Sequence, residues 1–206
     1  CGEPGLAWLR SLPDDYMTKK QTVSYAGLFD DVGADAWYAP SVDYVKYGRL
    51  MYGTGNNLFQ PDAQMTRAMF AQVLYALEGS PSVRGLSCPF TDVGGSWYTD
   101  AVIWAYHAGV VAGVSATQFA PNEALTREQM VTMLYGYAGR DEQLSGSDGA
   151  LASYQDQASV SDWAREAMAW AVSTGVITGT STTTLAPQKI GTRAEVATVL
   201  MQFCEQ

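Results

Sequence analysis

Apolar residues recur three times along the chain in the order i, i+3, i+4, i+7. They are Phe70, Val73, Leu74 and Leu77; Met130, Met133, Leu134 and Tyr137; and Val196, Val199, Leu200 and Phe203. That spacing is one face of an α-helix. Each stripe follows a Thr-Arg pair, so each helix is predicted to start at its threonine. A broader apolar face lies upstream, with Val102, Trp104, Ala105 and Tyr106 in the middle copy and Met168, Trp170, Ala171 and Val172 in the last. The pattern predicts helix, loop, helix, three times over. Pro40 falls in the first turn of the first such helix, where proline is tolerated. Gly109 and Gly175 stand at its end as C-caps; the first copy departs, with Arg49 there and Gly48 one residue earlier. The loop between the helices is expected to hold a short extended stretch.

The three copies share one register. Trp37, Trp97 and Trp163 are followed after 16 residues by Gly53, Gly113 and Gly179, and after 22 by Phe59, Phe119 and Leu185. Pro61, Pro121 and Pro187 follow after 24, and Thr66, Thr126 and Thr192 after 29. Ahead of each Trp the match loosens, through Phe29-Asp30-Asp31, Phe90-Thr91-Asp92 and Tyr154-Gln155-Asp156. The repeats span about 28–79, 89–139 and 153–206, behind a lead segment, 1–27, that belongs to none. Residues 140–152, rich in Gly, Ser and Asp, read as a surface linker. A two-helix repeat cannot bury its stripe alone. Three can do so around a shared axis, which predicts one cooperative, pseudo-threefold, mainly α domain.

Composition narrows the chemistry. The chain has 206 residues, enough for one large or two small domains, and a net charge of −9. Such acidity argues against nucleic acid and anionic membranes as partners. The most apolar stretch, 101–115, is short of the roughly 20 residues a membrane span needs. One histidine, His107, leaves no site with two histidine ligands and little room for a Ser-His-Asp or Cys-His arrangement. No metal, cofactor or catalytic motif stands out, and the acidic residues form no glycosidase-like pair. Cys1, Cys88 and Cys204 allow one disulfide and a free thiol, or three free thiols. The chain opens on Cys1 and not Met, so it reads as processed or excised. Cys1 suits an acylated lipoprotein terminus, and a fragment boundary explains it as well.

The Thr-Arg pairs carry the candidate chemistry. Thr126 with Gln129, and Thr192 with Glu195, form capping boxes; Thr66 has Met69 in place of the Glu or Gln. Capping does not explain Arg67, Arg127 and Arg193. A cation in a first helical turn is disfavoured by about 0.3–1 kcal/mol. Beside free helix N–H groups, such an arginine is suited to an anion. The competing reading is an internal salt bridge to Asp31, Asp92 or Asp156. Under the anion reading, Arg127→Ala is expected to weaken binding and leave the fold intact. Trp37, Trp97 and Trp163 read as buried core anchors or, alternatively, as platforms for a sugar face. Trp104, Trp170 and Tyr44 read as core, and His107 as a surface or partly buried helix residue.

These residues resemble the S-layer homology family. Its pattern is Phe-x-Asp, Trp, Gly-(Val/Ile)-(Val/Ile)-x-Gly, Phe-x-Pro and Thr-Arg-Ala-Glu. Repeat 2 reads Phe90-Thr91-Asp92, Trp97, Gly109-Val110-Val111-Ala112-Gly113, Phe119-Ala120-Pro121 and Thr126-Arg127-Glu128-Gln129; repeat 3 has the full Thr192-Arg193-Ala194-Glu195. The resemblance implies a three-pronged spindle with grooves between repeats. It also implies binding without catalysis: noncovalent anchoring of an exported protein to the bacterial cell wall. The implied partner is secondary cell wall polysaccharide, often bearing a pyruvate ketal on N-acetylmannosamine. The implied carbohydrate-binding residues are Arg67, Arg127 and Arg193, Thr66, Thr126 and Thr192, Trp37, Trp97 and Trp163, and Gly53, Gly113 and Gly179. The alternative is a module of protein assembly that binds no glycan.

Overall fold

The computed structural model of the chain describes residues 28–139, 144, 146 and 148–205. The lead segment 1–27, Cys1 within it, and much of the linker lie outside the described residues. Among those described there are six α-helices and no strand: α1 (Ala39–Tyr47), α2 (Arg67–Leu77), α3 (Thr99–His107), α4 (Arg127–Ala138), α5 (Arg165–Ser173) and α6 (Arg193–Cys204). Each repeat supplies two. The first helix of each pair begins two residues after its tryptophan, and the second at its arginine.

The helix ends follow from local sequence. Thr126 and Thr192 close full capping boxes. Thr66 receives only the Met69 N–H, at 3.3 Å, because Met69 has no side-chain acceptor to return the bond. Gly109 and Gly175 leave their helices at φ 71° and 76°, where glycine carries no steric penalty. Arg49 adopts the same left-handed conformation, at φ 57°, with a side chain attached. The extended stretch expected in the loops is reduced to isolated bridges such as Gly55–Leu58 and Ser115–Gln118.

The chain divides into two compact bodies. One holds the described residues of Cys1–Ala63, Ala76–Ser80 and Thr192–Gln206. In it α1 packs on α6, and Thr198 Oγ1 donates to the Ser41 hydroxyl at 3.1 Å. Val42, Val45, Val196 and Leu200 are fully buried. Asp43 is buried too, where the other repeats carry Ile103 and Ala169. Burial pushes its carboxyl up to about 6. Buried Cys204 is a free thiol that burial pushes up to about 12.

The other body holds Gln64–Tyr75 and the described residues of Pro81–Gly191. Its α4 packs on α5. Trp104 lies between Tyr75 and Tyr137, with ring centroids at 5.6 and 6.3 Å, and Trp170 against Tyr135 at 5.6 Å. These are the core roles expected for Trp104 and Trp170. Part of the expected surface linker is core instead: the 3₁₀ turn Asp148–Leu151 packs on α5 with Leu151 fully buried, and a Cβ on Gly146 would strike the α5 backbone. Its Gly/Ser/Asp composition concealed a close approach that only glycine permits. Three backbone hydrogen bonds tie the residues ahead of the cap threonines. Met65 N–H donates to Gly191 O, Gly191 N–H to Leu125 O, and Leu125 N–H to Met65 O, at 3.1, 2.9 and 2.8 Å.

Two predictions concern stability. The left-handed region costs an L-residue roughly 1–2 kcal/mol, and glycine returns about 0.5–1 kcal/mol of that in chain entropy. Arg49→Gly is therefore expected to raise the unfolding free energy by about 0.5–1 kcal/mol in chemical denaturation. For Asp43, a folded pKa raised from 3.8 to about 6 gives a contribution present in full below 3.8 and lost as pH rises through 6. Asp43→Ala removes that loss. Its melting temperature should rise relative to wild type as pH increases from about 4 to 7 in paired thermal scans, and a constant difference would contradict it.

Candidate functional site

The helix starts are already occupied. The first two N–H groups of α2, from Arg67 and Ala68, donate to Glu123 O and Pro121 O, both at 3.0 Å. In α4, Arg127 and Glu128 donate to Lys189 O and Pro187 O; in α6, Arg193 and Ala194 donate to Ala63 O and Pro61 O. The third N–H goes to the cap threonine. The free amides expected to hold an anion are thus spent on backbone carbonyls, and Thr66, Thr126 and Thr192 are spent as caps.

The arginines do the same with their side chains. Arg67 Nε donates to Phe119 O at 2.8 Å and Nη2 to Ala112 O at 3.2 Å. Arg127 donates to Leu185 O and Thr178 O at 3.2 and 2.6 Å, and Arg193 to Phe59 O and Tyr52 O at 2.7 and 2.6 Å. All three are buried. The guanidinium planes of Arg67 and Arg193 also lie over Phe119 and Phe59, at 4.7 and 4.6 Å; Leu185 offers Arg127 no ring.

The expected carboxylate partners act on the same loops from their amide side. Asp31 accepts the N–H groups of Phe59 and Gln60, Asp92 those of Phe119 and Ala120, and Asp156 those of Leu185 and Ala186. Gln60, Ala120 and Ala186 are all left-handed, at φ 57°, 58° and 53°. Arginine and aspartate therefore grip one strained corner. At Phe119, Asp92 takes the N–H and Arg67 the carbonyl. Burial raises the Asp92 carboxyl, but the two loop N–H groups and Arg67 outweigh it and hold it below the ordinary range. Asp156 is lowered by the Leu185 N–H above all, against burial. Burial lowers Arg67 and Arg193, while Glu123 and Asp92, or Asp31, oppose it.

Gly53, Gly113 and Gly179 serve the loop's fold. A Cβ at any of them would strike loop carbonyls and the ring of Phe29, Phe90 or Tyr154. The tryptophans correct the core-anchor reading: Trp37, Trp97 and Trp163 are 65%, 63% and 58% exposed. A large aromatic in register with buried stripes reads as core, but two residues ahead of a helix it lies outside the stripe. His107 is exposed, and its Nε2 meets Ser87 O at 2.8 Å.

One cavity gathers several of these groups. About 550 Å³ in volume, it is lined by Arg67, the Val110–Val114 run, Gln129, Thr132, Met133 and Trp163. Among the described residues, Nη1 of Arg67 has no hydrogen-bond partner, so the guanidinium meets the cavity with donors to spare. Val110 and Val111, inside the Gly-Val-Val-x-Gly motif, line the cavity without being among the expected binding residues. Gln129 and Met133 line it as well, beside their places in the cap and the helix stripe. Among the described residues, no cluster of His, Cys, Asp or Glu could hold a metal, and no helix is long and apolar enough to cross a membrane.

Comparison with known proteins gives the geometry a relationship. The family model described as S-layer homology domain matches residues 28–71, 89–131 and 153–197. The surface-layer 125 kDa protein of Lysinibacillus sphaericus is 31% identical over 191 residues, 89% of this chain and 15% of that protein. Exoglucanase XynX of Acetivibrio thermocellus is 29% identical over 86% of this chain and 16% of its own length. The S-layer protein sap of Bacillus anthracis is 28% identical over 89% of this chain and 22% of its own. The chain thus spans under a quarter of the length of each.

The Arg127 geometry reverses the expectation that its removal spares the fold. Arg127→Ala leaves Leu185 O without its donor at a buried corner and removes a second bond, to the part-buried Thr178 O. The buried loss alone costs about 1–3 kcal/mol, so a marked fall in denaturant midpoint is expected. Unchanged stability would show that the clamp holds nothing.

Proposed function

The chain belongs to the S-layer homology family of cell-wall anchoring modules, and from that premise we propose that its Arg67 cavity binds an acidic wall glycan. The carrying observation is a buried guanidinium with unspent donors beside a largely exposed tryptophan, in a chain of net charge −9. Arg67 supplies the one strong attraction for a carboxylate in the cavity. Val110, Val111, Val114 and Met133 offer apolar surface to a ketal or acetyl methyl group, and Trp163 offers a face to a pyranose ring. The volume lies within the roughly 300–1,000 Å³ usual for small-ligand sites.

The ligand class that fits is a pyruvylated N-acetylmannosamine of secondary wall polysaccharide, held noncovalently at the bacterial cell surface. Such a module binds without catalysis. Whatever is joined to it is thereby kept on the wall. Arg127 and Arg193 have the same internal duty as Arg67, and support for a ligand role is concentrated on Arg67 because it borders the cavity.

Truncating Arg67 would disturb the Phe119 corner as well as the ligand, so Trp163 is the cleaner probe. Trp163→Ala is expected to weaken calorimetric binding of pyruvylated wall polymer by about tenfold or more, roughly 1.4 kcal/mol, with little change in melting temperature. Depyruvylated polymer should bind the wild-type chain far more weakly. Equal affinity for the two polymers would remove the carboxylate from the mechanism.

A further inference from the structure

Glu128 has no counterpart in the other repeats, where its place is taken by Ala68 and Ala194. Its residue is 2% exposed. A carboxylate so deep is costly unless its oxygens are satisfied, and here they are. Oε2 accepts the Ser161 N–H at 3.0 Å, and Oε1 accepts from the Ser161 hydroxyl at 2.8 Å and Gln188 Nε2 at 2.7 Å. Gln188 Nε2 also donates to Ser159 O at 3.3 Å. Elsewhere Asp35 and Gly95 stand in the register of Ser161, and Asp62 and Asn122 in that of Gln188. The network therefore belongs to one place in the chain.

That place is the base of Trp163. Ser161 precedes the 3₁₀ turn Asp162–Ala164, and its carbonyl accepts the Ala164 N–H at 2.9 Å. Trp163 lies inside this turn. Its ring is largely exposed, so packing does little to fix it, and the turn beneath decides where it points. The carboxylate grips that turn by both the backbone and the side chain of the residue just before it.

We propose that Glu128 is a positioning residue that fixes Trp163 at the rim of the Arg67 cavity before ligand arrives, and so makes this cavity the preorganised one. A site whose aromatic wall is already set loses less freedom on binding. The inference rests on the reading of that cavity as the glycan site. Glu128 acts through Ser161 and Trp163 and does not itself meet the sugar.

The test uses the full chain labelled with 5-fluorotryptophan, with the Trp163 resonance assigned by Trp163→Phe. Glu128→Ala introduces the residue that repeats 1 and 3 already carry, so the variant is expected to fold. It should shift or broaden the Trp163 resonance while the other five tryptophans stay in place. Its affinity for pyruvylated N-acetylmannosamine wall polymer should fall about tenfold, and Glu128→Gln, which keeps one acceptor oxygen, should restore it to within about threefold. An unmoved Trp163 resonance in Glu128→Ala overturns the proposal, and so does a moved resonance with unchanged affinity. Absence of polymer binding by the wild-type chain would instead remove the glycan reading, and the resonance alone would then uphold or overturn the role of Glu128.

Discussion

A backbone corner held from both sides is the constraint on which the rest of each repeat depends. Gln60, Ala120 and Ala186 sit in a conformation that L-residues avoid. They stay there because an aspartate takes the adjoining amides and a buried arginine takes the adjoining carbonyl. Remove the arginine and a buried carbonyl loses its donor; remove the aspartate and two amides lose their acceptor. A lysine could not replace the arginine, since one ammonium cannot direct two N–H groups from a planar fork. The Phe-x-Pro and Thr-Arg elements, far apart in sequence, are two halves of one device.

The device also leaves arginine donors over for the recognition we propose. A guanidinium has five donors, and two nitrogens are enough for the corner. At Arg67 the remainder meets a cavity walled by the same loop that the arginine stabilises. Under the proposed glycan reading, ligand attraction comes from a group whose position is fixed by the fold, with little left to order on binding. Such a charge is tolerated in the interior because two carbonyl oxygens accept from it and Glu123 and Asp92 favour its charged form.

Much of this was legible in the sequence, and the failures have identifiable causes. The helix pairs, their caps, the C-terminal glycines and the buried Trp104 and Trp170 follow from periodicity and short-range chemistry. Arginine at a disfavoured helical position was the right anomaly to notice. Its hydrogen-bond partners were not recoverable, because carbonyl acceptors leave no trace in residue types; only carboxylates advertise themselves as candidates, and Asp31, Asp92 and Asp156 spend their hydrogen bonds on amides and act on the arginines through charge. Trp163 was misjudged toward the core since exposure depends on where the chain bends before α5. Glu128 was invisible for a related reason: its partners, Ser161 and Gln188, are joined to it only by the tertiary fold.

The ring of hydrogen bonds among Met65, Leu125 and Gly191 has a consequence for timing. Each residue both gives and takes one bond, so no pair of the three completes the set. The three come one from each repeat. During synthesis, the first two can meet as soon as the middle repeat leaves the ribosome, yet the bonds to Gly191 must wait for the third repeat. Long-range closure of this kind is slow compared with helix formation. The helices are therefore free to come and go along the emerging chain, and the body that contains the ring locks only when the segment around Gly191 arrives.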